Sequence, residues 1–335
     1  AALSLAGTYG MMYHGQRQFI GGCQWHPFDH QRGYHPDAYL GGIYDAFRQK
    51  KYAFEMFRSQ MPRSALGGAH LFIAHELTPF SPEDVTVFSN CDSVRLTVID
   101  GWQTATLPVV HDPEGTPSEP VVFKGFWNFW KAREQSYTKR SWQTVKMVAE
   151  GIVGDSVVCR VEKMPARRST KLRLRADEMG RPLVADGSDF IVVVAEVTDD
   201  EGNVRRLARE SVSFTVQGEG TLIGDATIGA NPRTVEWGSA PALIRSTHTA
   251  GRLTVIARPA WPGVHAPTAD TLVIESVEPA LPQCYTEQAA DAGHTAAEAT
   301  ATAQGRNSGQ QAMSEEEKRR ELEEVQRQQQ DFGIQ

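Results

Sequence analysis

Residues 21–37 read GGCQWHPFDHQRGYHPD, and this stretch decides how the rest of the chain is interpreted. It places one Trp, one Tyr, three His and two Asp in a short segment interrupted by Gly and Pro. A strand buried in a core does not need this mixture, because such strands are mostly apolar and β-branched. A segment that leaves a buried strand and opens into a polar, aromatic ligand pocket does need it. The stretch therefore predicts a strand end followed by a binding loop.

The residues on either side predict an α/β unit at the start of the chain. Residues 18–25 have the character of a short apolar strand that is buried on both faces of a parallel sheet. Residues 27–42 predict a loop, and the apolar residues over 44–57 predict an irregular helix with a buried face. One strand, one loop and one helix cannot form a domain, so residues 1–60 are interpreted as the last repeat of a larger one. Because the sequence starts at Ala1 without Met, we expect it to begin partway through that domain.

Length and charge exclude several classes of function. The 335 residues are enough for two or three domains. The net charge of −7, without a strong basic field, argues against nucleic acid as a partner. No apolar run approaches the roughly 20 residues of a membrane span. A charged and then apolar leader is also not seen at the start of the sequence.

The four cysteines lie far apart, at Cys23, Cys91, Cys159 and Cys284. None belongs to a CxxC pair, so a zinc ribbon or a redox motif has no support. Cys23, Cys91 and Cys159 stand in apolar segments, where cysteine usually acts as a small core residue. A disulfide between two of them is left open.

Two all-β regions are predicted after residue 60. Over residues 61–165, alternating or β-branched runs separated by turn signals predict a β-sandwich. Over residues 166–277, the strand pattern fits an immunoglobulin-like sandwich, and Lys171-Leu172-Arg173-Leu174 alternates with charge outward and leucine inward. Residues 278–335 are poor in large apolar side chains and predict a disordered, low-complexity tail with a polar helix over 314–330.

An aromatic cluster interrupts the first all-β region. Its main interpretation is a hydrophobic plug against a neighbouring domain, and its second is a surface on which sugars stack. The cluster consists of Phe123, Phe126, Trp127, Phe129 and Trp130.

The polar residues of the loop are candidates for ligand contacts. Trp25 stands at the predicted strand end, where its ring can stack on the C–H face of a sugar or simply pack. The types of His26, Asp29, His30 and His35 suit zinc or iron, but their intervals match no known ligand motif. Contacts to sugar hydroxyls are therefore preferred, and a loop that is satisfied internally is the alternative. We predict neither a metal nor a cofactor.

The carboxylates do not form a convincing catalytic pair. Glycoside hydrolysis needs two of them, roughly 5 Å apart for retention or roughly 6.5–9.5 Å for inversion. The acids of the first 60 residues are Asp29, Asp37, Asp45 and Glu55. Asp45 and Glu55 are assigned to the predicted helix as surface or capping residues, and Asp29 and Asp37 have His and Pro neighbours. Glu76, in the first all-β region, is interpreted as structural.

These residues carry a family resemblance. Residues 21–37 and the following GGIYDAFRQ at 41–49 resemble the end of the catalytic barrel in glycoside hydrolase family 2. They look most like the bacterial β-galactosidases associated with red-algal galactans such as agar and porphyran. The likeness covers about residues 8–276, and its first block is the specific part. It continues through IAHELTPF at 73–80, VTVFSNC at 85–91, ADGSDF at 185–190, GEG at 218–220, ANPR at 230–233 and WGSAP at 237–241.

The resemblance implies a fold and a role for the loop. It implies a mainly β chain made of the last strand-loop-helix repeat of a (β/α)₈ barrel over 1–60, two β-sandwiches over 61–165 and 166–277, and the tail. Residues 18–25 would be the eighth barrel strand, with Trp25 on the floor of the sugar pocket. His26, Asp29, His30 and His35 would flank the pocket. The two catalytic Glu residues of this retaining family lie on earlier barrel strands, and no position of this chain matches them.

The sequence therefore predicts the C-terminal part of a β-galactosidase-type enzyme acting on β-galactosides or galactan oligosaccharides. The chain by itself is expected to be inactive, with the catalytic pair supplied by a missing N-terminal segment or a second chain of a homo-oligomer. A periplasmic or secreted location is implied by the resemblance alone. The competing interpretation is a non-catalytic carbohydrate-binding or structural β-sandwich module.

Overall fold

The described part of the first 60 residues forms two helices. The structure is a computed structural model, which describes residues 1–14, 22–31, 33, 38–99, 101–112, 115–177 and 180–280. Two helices, α1 (Ala2–Tyr13) and α2 (Tyr52–Ser59), pack together through a small apolar cluster. The described part of the predicted barrel strand, residues 22–25, is not in a strand, and residues 18–21 lie outside the described ranges.

The helix predicted over residues 44–57 begins later, at Tyr52. The reason is Asp45, whose carboxylate accepts the main-chain N–H groups of Phe47 and Gln49, each at 2.8 Å. Such a bond to the residue two positions ahead stabilises a turn in competition with a helix. Arg48 completes the turn with a positive φ of 61°. The expectation of one helix over 44–57, with Asp45 inside it, was therefore wrong.

The first sandwich packs two antiparallel sheets around one core. Its described elements are α3 (Arg63–Leu66), β1 (Leu71–Ala74), β2 (Val85–Ser89), β3 (Ser93–Val98), β4 (Gln103–Pro108), β5 (Val121–Phe123), α4 (Phe129–Thr138), β6 (Met147–Val153) and β7 (Ser156–Lys163), with a 3₁₀ turn at Trp142–Val145. The three-stranded sheet has the order β1-β2-β5, and the four-stranded sheet has the order β4-β3-β6-β7. Both sheets bury their inner faces in the same apolar cluster.

The second sandwich is built in the same way from nine described strands. One sheet has the order β12-β14-β10-β8 and the other β13-β11-β15-β16-β9, in which β9 and β16 run parallel. In β8, Leu172 and Leu174 are buried while Lys171 and Arg173 are exposed, as the alternation predicts. The strands are β8 (Lys171–Asp177), β9 (Leu183–Val184), β10 (Phe190–Thr198), β11 (Ser211–Gly218), β12 (Gly220–Ile223), β13 (Arg233–Thr234), β14 (Ser239–Ser246), β15 (Arg252–Pro259) and β16 (Asp270–Val277).

The aromatic cluster lies mainly in the core of its own sandwich. Phe123 and Trp127 are buried, and Phe126 and Phe129 pack partly against the same core. Trp130 points outward, with 69% of its surface exposed. The buried members of the cluster therefore fill the core of the first sandwich, and a plug against a neighbouring domain stays a prediction.

The cysteines divide into one exposed thiol and one close pair. Cys23 is exposed, so the prediction that it lies in the core was wrong. Cys91 is buried and Cys159 half-buried, with 3.8 Å between their Sγ atoms, and both are free thiols. Burial raises the pKa of the Cys159 thiol to about 11, and the neighbouring Cys91 adds to this rise. Cys284 lies outside the described residues.

A half-buried ionic junction at Glu76 joins all three segments. Its Oε1 accepts the hydroxyl of Tyr52 on α2, and its Oε2 accepts Nε of Arg206 from the second sandwich at 3.1 Å. Lys163, at the end of β7, brings its Nζ within 3.4 Å of the same oxygen. Burial raises the pKa of Glu76, but the charges of Lys163 and Arg206 outweigh burial and hold that pKa below its ordinary value. Glu76 therefore stays ionised as a structural link.

The tail predicted over residues 278–335 is described only as far as residue 280. The disorder and the polar helix predicted for the remainder lie outside the described residues. In the described part of the chain, no helix is long and apolar enough to cross a membrane.

Candidate functional site

Asp29 anchors the loop that was predicted over residues 27–42. Only 8% of this residue is exposed, and its carboxylate accepts Nζ of Lys51 at 2.8 and 2.9 Å. The same carboxylate accepts the main-chain N–H of Gly42 at 2.8 Å, and Lys51 also donates to the carbonyl of Leu40. Because a buried carboxylate needs such partners, Asp29 fixes the two arms of the loop together.

Gly42 is needed for this close approach of the two arms. A Cβ atom on Gly42 would lie 2.4 Å from the main-chain nitrogen of Asp29 and 2.5 Å from the carbonyl carbon of Phe28. Main-chain hydrogen bonds join Tyr39 with His30 in both directions, at 2.9 and 3.2 Å. The two arms therefore run side by side as an irregular ribbon.

Four aromatic side chains of this segment contact one another and form the loop cluster, which is defined as Trp25, His26, His30 and Tyr39. The rings of His26 and His30 lie 4.1 Å apart between centroids, and Trp25 meets His26 edge to face at 5.2 Å. Tyr39 lies 5.5 Å from His26 and 5.4 Å from His30. Trp25 is 79% exposed, so one large aromatic face is open to solvent. His26 takes a positive φ of 63°, which turns the chain sharply beside Trp25.

The structure brings three of the predicted site residues together and separates a fourth. Trp25, His26 and His30 share the loop cluster, whereas Asp29 is directed into its ion pair with Lys51. His35 lies outside the described residues, as does Asp37. The sequence-based prediction missed Tyr39, because only the pairing of the two arms brings it beside His30. The only sequence signal for a role of Tyr39 was an aromatic residue two positions before Gly41-Gly42.

The loop cluster has the chemistry of a sugar contact. Indole and phenol rings offer flat apolar faces, while the imidazole nitrogens and the Tyr hydroxyl can exchange hydrogen bonds with sugar hydroxyls. Among the residues that the structure describes, no group of three His, Cys, Asp or Glu could hold a metal ion.

The acids nearest to the loop are occupied in structural contacts. Asp45 holds the turn before α2, and burial raises its pKa although its hydrogen bonds lower it. Glu55 lies 3.3 Å from Nε2 of His70, and burial raises its pKa as well. Burial lowers the pKa of His70. These contacts hold α2 against the first sandwich.

Comparison with known proteins finds similarity to glycosidases. Residues 172–260 match the family described as Glycoside hydrolase family 2 C-terminal domain 5. A beta-galactosidase of Thermoanaerobacter pseudethanolicus is 31% identical over 221 residues, which are 65% of this chain and 28% of that protein. A beta-glucuronidase of Formosa agariphila is 26% identical over 259 residues, which are 73% of this chain and 24% of that protein.

Solved structures agree at the level of the fold. A beta-glucuronidase from glycoside hydrolase family 2 superposes with a TM-score of 0.58 at 21% identity, over 84% of this chain and 28% of that chain. A beta-glycosidase from Bacteroides vulgatus gives a TM-score of 0.55 at 19% identity, over 77% of this chain and 31% of that chain. The chain thus spans about a quarter of the length of the curated relatives that it matches. Residues 172–260 are thus similar to a C-terminal domain of glycoside hydrolase family 2, and the solved structures show the fold alone.

Proposed function

We propose that this chain is the C-terminal part of a retaining glycoside hydrolase of the β-galactosidase type, acting on β-galactosides or on galactan oligosaccharides of red algae. In this proposal residues 1–60 complete a (β/α)₈ barrel, and the two sandwiches, the second of immunoglobulin-like type, support it. The name of the matched family and the 31% identity to a beta-galactosidase favour this assignment.

The observation that carries the proposal is the exposed loop cluster. The indole of Trp25 has 79% of its surface exposed, so its flat face is available to a ligand. His26, His30 and Tyr39 surround this ring with hydrogen-bonding groups, which is the combination that sugars require. Trp25 is proposed to stack on the sugar, with His26, His30 and, from the sequence, His35 at the rim. Asp29 acts beneath them by holding the ribbon in place.

The proposal assigns the acid/base and the nucleophile to residues outside this chain. Of the described acids near the loop, Asp29 is paired with Lys51, Asp45 is bonded within its own turn, and Glu55 lies beside His70. None of them is therefore free to alternate between general acid and general base. Double displacement needs one carboxylate to form the glycosyl-enzyme and another to transfer protons. We therefore expect the chain alone to bind sugar without hydrolysing it.

Two assays on the whole chain test this function. With nitrophenyl β-galactoside, we expect no turnover above the uncatalysed rate, and turnover that disappears in Asp29→Asn would overturn the assignment of roles. With methyl β-galactoside, saturation-transfer NMR is expected to detect weak binding that Trp25→Ala reduces by about tenfold, since stacking and burial together are worth roughly 1.4 kcal/mol. Unchanged binding in Trp25→Ala would remove the loop cluster from the sugar site.

A second candidate is a binding module whose site lies on the second sandwich. Trp261 favours it, because this residue of the loop between β15 and β16 is also 79% exposed. Trp261→Ala is therefore the matched variant for Trp25→Ala. Loss of galactoside binding in Trp261→Ala, with Trp25→Ala unaffected, would support the module and contradict the barrel site.

A further inference from the structure

The second sandwich carries an open groove at the end where β10 leaves the sheet. Its volume is about 570 Å³, which lies within the range of roughly 300–1,000 Å³ that is typical of ligand sites. Three segments form its walls: the residues before β8, the connection from β10 to β11, and the connection from β15 to β16. Its polar lining residues are Arg168, Ser169, Arg205, Arg209, Glu210 and His265.

The groove has an excess of positive charge. It is lined by three guanidinium groups and one carboxylate, in a chain with a net charge of −7. Within the described ranges, the side chains of Arg168 and Arg209 have no carboxylate partner. The carboxylate of Glu210 instead accepts the main-chain N–H of Arg209 at 2.8 Å.

Several other arginines of the same sandwich are paired. Arg173 and Arg175 both contact Glu196, and Arg206 contacts Glu76. Arg168 and Arg209 differ from these arginines, because they line one groove without a carboxylate partner among the described residues.

Hydrogen bonds hold in place the wall of the groove that carries Arg205 and Arg209. The main-chain N–H of Arg205 donates to the carbonyl of Val197 at 2.8 Å, and its Nη1 donates to the carbonyl of Arg167 at 2.7 Å. The side chain of the next residue, Arg206, donates to Glu76 at the ionic junction described above. A wall fixed in this way loses little conformational freedom when a ligand binds, which favours affinity.

We propose that this groove binds the acidic group of an oligosaccharide, a carboxylate or a sulfate ester, with Arg168 and Arg209 as its principal contacts. A guanidinium group presents planar, paired donors that match such oxyanions. Leu207, which is 39% exposed, adds an apolar side chain beside the charges, as the C–H face of a sugar requires. The negative charge of the whole chain disfavours a long polyanion such as nucleic acid. The inference rests on the proposed carbohydrate function, which it extends to acidic sugars.

Calorimetric titration of the whole chain tests the groove with three matched tetrasaccharides: tetragalacturonate, a sulfated galactotetraose and neutral galactotetraose. We expect at least one acidic ligand to bind about tenfold or more tightly than the neutral one. The double variant Arg168→Gln/Arg209→Gln is expected to weaken that ligand by about tenfold or more. The charge-matched control is Arg245→Gln/Arg252→Gln, which alters exposed arginines near the opposite end of β14 and β15 and should change the affinity by less than about twofold.

The affinities of tetragalacturonate and of the sulfated galactotetraose, compared with each other, decide whether the carboxylate or the sulfate ester is the preferred group. Equal weakening by both double variants would mean general charge attraction and would overturn the proposal. Inorganic sulfate that binds as tightly as the oligosaccharides would overturn the assignment to a sugar. Trp25→Ala separates the two sites: it is expected to leave the acidic ligand unaffected at this groove even if galactoside binding at the loop cluster fails.

Discussion

The sharpest structural prediction concerns Glu76→Gln, which keeps the shape of the side chain and removes its charge. The substitution leaves Lys163 and Arg206 without their shared carboxylate, and it weakens the bond from the Tyr52 hydroxyl. Breaking a fully buried ion pair costs about 3–5 kcal/mol, whereas an exposed pair contributes about 0–1 kcal/mol. The side chains of Glu76, Lys163 and Arg206 are 18%, 27% and 33% exposed, so this junction lies between the two cases. We expect a loss of about 2–3 kcal/mol.

Urea unfolding at neutral pH, followed by tryptophan fluorescence, measures this loss. The matched control is Glu275→Gln, because Glu275 pairs with Arg252 across 3.7 Å while both side chains are about 70% exposed. That control should change the free energy of unfolding by less than about 0.5 kcal/mol. Tyr52→Phe, which removes one hydrogen bond to Glu76, should cost about 1 kcal/mol.

The pH dependence of the same difference has a definite sign. Because the pKa of Glu76 is lowered in the folded state, its stabilisation is present above the unfolded pKa of about 4.3 and is lost as the pH falls through the folded value. The gap between the wild type and Glu76→Gln should therefore be full at pH 6–7 and shrink below about pH 4. A loss no larger than that of Glu275→Gln, or a gap that does not shrink in acid, would refute the role of the junction.

A glycine substitution and a thiol reagent test two other parts of the structure. Gly42→Ala should cost about 1–3 kcal/mol, because its Cβ would meet main-chain atoms at 2.4–2.5 Å, whereas Gly68→Ala, with open space around it, should be nearly neutral in urea unfolding. The thiol of Cys159, with its pKa raised to about 11, should react with iodoacetamide at pH 8 about 100-fold more slowly than an ordinary thiol and accelerate up to pH 11. Peptide mass mapping follows this reaction with the exposed Cys23 as the internal reference, and equal rates at the two sites would contradict the burial of Cys159.

Local patterns in the sequence predicted part of this architecture correctly. The alternation in β8 separates Leu172 and Leu174 from Lys171 and Arg173, because the side-chain period of a strand is two. The interpretation of Glu76 as structural agrees with its contacts to Lys163 and Arg206. Both inferences depend on short-range periodicity or on the plain chemistry of one residue.

The errors come from contacts that sequence periodicity does not contain. The apolar spacing over residues 44–57 suggested one helix, but the side chain of Asp45 captures two N–H groups and delays the helix to Tyr52. Cys23 was expected in a core and is exposed, since the described residues around it form no strand. The contact of Tyr39 with His30 depends on how Asp29, Gly42 and Lys51 close the loop, and no spacing rule expresses such a closure.

The most direct test of the central claim is the affinity of methyl β-galactoside for three forms of the chain: the wild type, Trp25→Ala and Trp261→Ala. The two tryptophans are equally exposed, at 79%, so their removal changes exposed apolar surface to a similar extent. If the loop cluster is the sugar contact, Kd rises about tenfold in Trp25→Ala and stays within about twofold in Trp261→Ala. Equal Kd values in the wild type and Trp25→Ala would contradict the claim.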